Sequence, residues 1–155
     1  IETPIKCDND DIKKGYQVLI DPSIFYENTY IVNGTEETPF TIDKNKGIYK
    51  LAPTMVVCYR ENENAQWIGY NDSLLVVPDV IEEEEKKVGL IIIEKPKSKP
   101  SEEYATVVHS NKLLEEEGVF SGSKIFRAKG IGLSFWIEGK EHKWINNRHV
   151  LALIN

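Results

Sequence analysis

Three histidines and two cysteines are the residues of this chain best suited to metal binding or nucleophilic catalysis, and their spacing supports neither. Cys7 and Cys58 lie far apart. His109, His142 and His149 form no pair at the spacing of a helical or hairpin metal site. We therefore expect no metal site, and we expect reduced cysteines, with Cys58 in a buried strand.

Other catalytic motifs are missing as well. The sequence has no nucleophile elbow, no phosphate-binding glycine loop and no dinucleotide fingerprint. Gly130 and Gly132 form a lone glycine pair that is better explained by a bulge or bend. The acidic run Glu115-Glu116-Glu117 is typical of a solvated turn. These patterns predict a protein that is not an enzyme and uses no cofactor.

The composition is that of an ordinary globular domain. The 155 residues are 41% hydrophobic and 28% charged, and the formal net charge is −6. This acidic balance argues against a nucleic-acid binder, whose affinity comes from basic surface. No apolar run approaches the roughly 18 residues of a membrane span, and residues 1–11 lack the layout of a signal peptide. We expect a cytoplasmic protein that binds neither membranes nor nucleic acid.

The hydrophobic pattern predicts strands almost throughout, and hence an all-β fold. Apolar or β-branched runs bounded by turn residues indicate about ten short strands. The only helix-like stretch is residues 81–87, and three stretches are predicted as loops: 27–46, 82–87 and 94–103. The predicted strands include residues 16–20, 30–32, 54–59, 74–77, 90–93, 104–108, 124–126, 133–137 and 150–154.

The chain contains an internal repeat. The segment around Trp67 parallels the segment around Trp144 without a gap, and the match continues into the strands that follow. Further upstream, Gly15-Tyr16-Gln17-Val18-Leu19 parallels Gly122-Ser123-Lys124-Ile125-Phe126. The first copy therefore carries about 30 extra residues, which we place in an insertion at residues 22–53. The repeated tryptophan is most simply a core anchor, with an aromatic ligand platform as the alternative.

The second half resembles the GroES-type co-chaperonin family (chaperonin-10). The resemblance covers residues 73–155 and rests on the order of the strands and on two motifs. One is the step Val119-x-x-Gly122-x-x-Ile125-Phe126, and the other is the closing run His149-Val150-Leu151-Ala152-Leu153-Ile154. It implies a GroES-like, partly open β-barrel at 73–155, preceded at 1–72 by a half-repeat of the same barrel with its insertion.

The resemblance also implies a function. Members of this family form homo-oligomeric rings that cap a GroEL-type chaperonin cage and assist protein folding. The contact is a mobile loop, which by position corresponds to residues 79–93. The contact residues would be Gly89, Leu90, Ile91 and Ile92, although Leu90 to Ile93 could equally be a core strand. The ring interface would include Leu74, Val76, Leu151 and Leu153, on the strands that meet between neighbouring subunits.

Three departures from the family pattern leave a second function open. Ser123 stands where the family commonly has Asp, and the stretch between Val108 and Val119 is too short for a full roof hairpin. An ordinary co-chaperonin also lacks residues 1–72. The alternative is a structural assembly subunit, for example of a bacteriophage virion or another large complex, that uses the same barrel. In that case residues 79–90 would be packed or paired as a strand.

Overall fold

The protein is an all-β chain, as the sequence predicts. The computed structural model describes residues 11–25, 29–82 and 98–154. Strands dominate in this part of the chain, and its one α-helix has five residues. The chain divides into two compact units, Ile1–Tyr70 and Asn71–Asn155.

The first unit is built around a three-stranded antiparallel sheet with the order β1-β6-β7. Its insertion contains two small hairpins, β2–β3 and β4–β5. The predicted strand at residues 30–32 is confirmed as β2, whereas the loop prediction for residues 27–46 was wrong at β3 and β4. The turn Asn33-Gly34 closes the first hairpin with φ angles of 51° and 79°, the left-handed conformation that a two-residue hairpin turn requires. The strands are β1 (Gln17–Ile20), β2 (Tyr30–Val32), β3 (Thr35–Glu37), β4 (Thr41–Asp43), β5 (Ile48–Tyr49), β6 (Val56–Arg60) and β7 (Ile68–Gly69), with 3-10 helices at Pro22–Phe25 and Pro53–Met55.

The core of the first unit lies on one face of this sheet. Val18 and Ile20 of β1 pack in one hydrophobic cluster with Tyr59 of β6. Tyr70, the last residue of the unit, belongs to the same cluster. Cys58 is fully buried in β6, as expected from the sequence. Burial raises the pKa of its thiol, which disfavours the reactive thiolate.

The second unit is a six-stranded antiparallel sheet with the order β11-β12-β8-β9-β10-β13. The predicted strands at residues 133–137 and 150–154 have the predicted bounds. Glu138 and Gly139 form a tight turn between β11 and β12, with φ angles of 51° and 78°. The elements are β8 (Ser73–Glu82), β9 (Ser98–His109), α1 (Lys112–Glu116), β10 (Lys124–Arg127), β11 (Leu133–Ile137), β12 (Lys140–Asn146) and β13 (Val150–Ile154), with a 3-10 helix at Asn147–His149.

Strands β8 and β9 are longer than predicted, because the prediction treated their prolines as strand ends. The sequence suggests that the first strand ends at Pro78 and that the stretch around Pro100 is a loop. Instead, β8 continues through Pro78 to Glu82, with an irregular register beyond Pro78. Pro100 pairs with Val80 where neither strand has a further neighbour in the described part of the chain, and proline is tolerated at such a sheet edge. The loop prediction for residues 98–103 and the helix-like prediction at residues 81–82 were therefore wrong.

A buried asparagine holds the helix that the sequence did not predict. The Oδ1 atom of Asn111 accepts a hydrogen bond from the Leu114 backbone at 3.0 Å and caps α1. Its Nδ2 donates to the carbonyl of Ser73 at 2.9 Å and to Oδ1 of Asn147 at 2.7 Å. Leu114 then enters the core of the sheet, which comprises Leu74, Val76, Ala105, Val107, Leu114, Val119, Ile125 and Ile145.

The strands that the repeat matches have corresponding bounds. Strand β1 precedes β10 by 107 residues at both ends, and β6 precedes β11 by 77 residues at both ends. Gly15 and Gly122, which lead into β1 and β10, share a φ of 93°. The pairing differs, because β1 pairs with β6 whereas β10 pairs with β9 and β13. The two copies therefore share elements and differ in the neighbours of those elements.

Of the pair Gly130 and Gly132, Gly132 should tolerate substitution less well. Its φ is 123°, and a Cβ there would lie 2.9 Å from Cγ2 of Ile145 and 3.1 Å from the carbonyl oxygen of Trp144. We predict that Gly132→Ala lowers the free energy of unfolding by roughly 2–4 kcal/mol through backbone strain and overpacking. Gly130 has a φ of 68° and open space around its Cα, so Gly130→Ala should cost only about 1–2 kcal/mol. Urea unfolding of both variants tests this order, and equal losses would contradict it.

Candidate protein-interaction surface

Among the predicted site residues that the structure describes, the two on the edge strand β13 are exposed. Leu151 is 58% exposed and Leu153 is 41% exposed. In the described part of the chain β13 pairs with β10 alone, so its outer edge offers free backbone donors and acceptors. Such an edge is a template for pairing with another chain. Leu151 and Leu153 are thus placed where a partner could reach them.

The turn before β13 fixes where this edge begins. The backbone N–H of Asn146 donates to Nδ1 of His149 at 3.2 Å, and Asn147 N–H donates to the carbonyl of Asp72 at 2.8 Å. At the other end of the turn, Ala128 N–H donates to the carbonyl of His149 at 2.9 Å. Val150 then packs against the core. These contacts hold the chain as far as Val150, and residues 151–154 of β13 are exposed.

The other two predicted interface residues lie in the core instead. Leu74 and Val76 have no exposed surface, and both belong to the hydrophobic cluster of the second unit. Their strand β8 is paired on both sides, with β12 and with β9. The structure therefore buries Leu74 and Val76 within the unit, whereas Leu151 and Leu153 are exposed.

Strands β8 and β9 continue beyond the sheet as a two-stranded extension. Residues 80–82 and 98–100 pair with each other and, within the described residues, with no third strand. Val80 is 72% exposed and Ile81 is 38% exposed. Glu82 is the direct partner of Ser98, so the described parts of β8 and β9 end side by side. The predicted contact residues Gly89, Leu90, Ile91 and Ile92 lie outside the described residues.

Polar contacts tie the base of this extension to the sheet. The hydroxyl of Thr106 donates to Asp79 at 2.8 Å, and Lys124 Nζ lies 3.7 Å from the same carboxylate. On the other strand, the buried guanidinium of Arg127 donates to the carbonyl of Ser101 at 3.2 Å. Burial lowers the pKa of Arg127 against the opposing effect of a nearby glutamate. The direction of the extension is thus set by buried and half-buried hydrogen bonds.

Strand β11 is the second edge of the sheet, and the sequence had predicted it as a strand but not as an edge. Trp136 is 71% exposed and Leu133 is 52% exposed, and β11 pairs with β12 alone in the described part of the chain. The signal was present in the sequence. Residues 133–137 form an uncharged apolar strand, and natural edge strands usually carry charges or proline.

The structure brings together two of the three histidines. The rings of His109 and His142 are nearly parallel, with centroids 6.0 Å apart, and Nδ1 of His142 lies 3.0 Å from the carbonyl of Lys140. Within residues 11–25, 29–82 and 98–154, no group of three or more His, Cys, Asp or Glu side chains could hold a metal ion. The described residues therefore give the pair no third ligand.

Comparison with known proteins gives no further assignment. A scan against models of known protein families finds no match, and a search of curated proteins finds no similar sequence. In the described ranges, no helix is long and apolar enough to cross a membrane. Within the described residues, the exposed strand edges and the β8–β9 extension are the candidate sites for binding a partner.

The turn that positions β13 should make stability depend on pH. Burial and the neighbouring Arg148 lower the pKa of His149, with Asp72 opposing, so the unfolded chain binds a proton at this site more readily. This contribution to stability is complete above the unfolded-state pKa of about 6.5 and is lost as the pH falls towards the folded-state pKa. We predict that the unfolding free energy of wild type drops more than that of His149→Asn between about pH 8 and pH 5. Urea titrations at several pH values test this, and parallel curves for the two proteins would refute it.

Proposed function

We propose that this protein is a GroES-like co-chaperonin that binds and caps a chaperonin cage to assist protein folding. The supporting observation is the pairing of Glu82 with Ser98 at the end of the exposed β8–β9 extension. Residues 83–97 form the connection between two adjacent strand ends, and they contain the glycine and aliphatic residues of the family's contact loop, Gly89, Leu90, Ile91 and Ile92. A segment closed in this way can present a short apolar stretch to a groove on a partner.

The energetics suit a reversible cap. Three aliphatic side chains buried in an apolar groove contribute on the order of 1.5–3 kcal/mol each. Ordering the rest of the segment on binding costs conformational entropy, so a single contact stays moderate in strength. Several such contacts on one oligomer bind together through a high effective concentration. A ring of GroES-like, partly open barrels would therefore hold the cage firmly and still release it.

A structural assembly subunit is the second candidate, and one observation favours it. Residues 79–82 are paired as part of β8, whereas a fully mobile contact loop would begin directly after residue 78. The exposed apolar edges β11 and β13 also suit a protein that builds an array, such as a virion component. The two candidates differ in whether the segment at residues 83–97 recognises a chaperonin.

Capture by a chaperonin cage tests the first candidate. We predict that an immobilised GroEL-type cage retains the wild-type chain in the presence of ATP or ADP and releases it without nucleotide. The triple variant Leu90→Ser/Ile91→Ser/Ile92→Ser should lose this capture because the apolar contact area is gone.

A matched control separates the contact from general surface hydrophobicity. Ile31→Ser/Ile42→Ser removes exposed aliphatic residues from the insertion hairpins, outside the predicted contact loop, and should leave capture unchanged. Circular dichroism must show that all three proteins are folded. Retention of the triple variant at the wild-type level would contradict the proposed contact, and no capture of wild type would favour the structural subunit.

A further inference from the structure

We propose that β13 of one copy of this chain pairs with β11 of a second copy, so that the six-stranded sheets of successive copies join head to tail. This inference names the partner strand for the exposed edge at Leu151 and Leu153. It rests on the self-association included in the proposed function but not on chaperonin binding. It also differs from the interface that the sequence suggested, which paired β13 with residues 74–77.

The position of β8 inside the sheet argues against residues 74–77 as the partner of β13. Because β8 lies between β12 and β9, Leu75 and Val76 are paired on both sides, and the side chains of Leu74 and Val76 are buried in the core. In the described part of the sheet, the strands with one neighbour are β11 at one end and β13 at the other. Each of them has five residues, so one can cover the other along its whole length.

The distribution of charge in the sheet supports pairing at these two edges. All four inner strands carry ionisable residues, including Asp79 in β8, Glu102 in β9, Lys124 in β10 and Lys143 in β12. Strands β11 and β13 carry none. A sheet that works alone shows the reverse pattern, because charges on its edge strands block pairing with other chains. Two uncharged apolar edges on one sheet are instead typical of edges that become interior strands in an assembly.

The side chains at both edges are exposed on the core-facing side of the sheet. Leu153 is the direct partner of Ile125, a core residue, yet it remains 41% exposed. Ser134 pairs with Lys143, and Lys143 pairs with the core residue Val76, so these three side chains lie on the core-facing side of the sheet. Trp136 lies two residues further along β11 and therefore on the same side. Trp136 is 71% exposed. The core face therefore extends to both ends of the sheet without cover.

One register places the two strands in a continuous sheet. Phe135 and Ala152 are the central residues of β11 and β13, and both lie on the face opposite the core. If they are direct partners in an antiparallel pair, Trp136 faces Leu151 on the core side and Ser134 faces Leu153. Each apolar edge residue then gains a cross-strand neighbour of the kind that stabilises sheets. Because a single contact uses both edges, copies would add in one direction until a ring closes or a filament forms.

Two charge substitutions test the direction of the contact. Trp136→Lys disables the β11 edge and leaves β13 intact, whereas Leu153→Lys disables β13 and leaves β11 intact. We predict that sedimentation velocity of the full chain shows a concentration-dependent oligomer for wild type. Each variant alone should sediment as a monomer, with self-association weakened on the order of tenfold or more.

Mixing the two variants gives the decisive result. The intact β13 of Trp136→Lys should pair with the intact β11 of Leu153→Lys, and the charged edges should stop growth at a dimer. If each variant instead forms dimers on its own, the edges pair with their own kind and the proposal is wrong. A mixture that stays monomeric would also overturn it, provided circular dichroism shows folded variants.

A matched control and the chaperonin assay separate this inference from the proposed function. Leu113 is 54% exposed on α1, which belongs to neither edge strand, and Leu113→Lys should leave the oligomer unchanged. If wild type is captured by a chaperonin cage while both edge variants keep the wild-type oligomer, only the pairing of β11 with β13 fails. If the variants behave as predicted and no cage captures wild type, only chaperonin binding fails.

Discussion

The antiparallel pairing of β8 with β9 is the interaction on which the rest of the second unit depends. It runs from Leu75 opposite His109 to Glu82 opposite Ser98. Its first half supplies two neighbouring strands of the buried core, and its second half forms the exposed extension that residues 83–97 connect. A change in register would move the core residues Val76 and Val107 to the other face of the sheet, because side chains alternate along a strand. The same pairing thus sets the core and the place where a partner segment can be presented.

A central β8 also dictates where the sheet can grow. Its two neighbours leave the free edges to β11 and β13, at opposite ends of the strand order. Both edges are apolar and uncharged, and each exposes a residue of the core-facing side, Trp136 and Leu153. Charged inner strands with uncharged edges are a costly arrangement for an isolated sheet in water. The proposed pairing between copies would remove that cost and would give the ring or array that either proposed function requires.

The sequence allowed the fold class to be predicted, along with the strands β11 and β13, because the hydrophobic pattern of a strand is local. It misplaced the ends of β8 and β9, because Pro78 and Pro100 lie where their own strand has one neighbour in the described part of the sheet, and that depends on the sheet order. The helix α1 escaped prediction because its five residues show no helical period and its cap, Asn111, is held by tertiary hydrogen bonds. The predicted contact residues 89–92 lie outside the described residues. The edge at β11 could have been found from its lack of charge.

Hydrogen–deuterium exchange of the wild-type chain as a function of concentration tests most directly whether the strand edges pair between copies. Outward-facing amides of β11 and β13 are open to solvent in a single copy and hydrogen-bonded in the proposed assembly. If the edges pair, peptides covering both strands should exchange rapidly in dilute solution and become protected together as the concentration rises, while peptides from α1 do not change. Rapid exchange of either strand at every concentration, in samples that sediment as oligomers, would contradict pairing of β11 with β13.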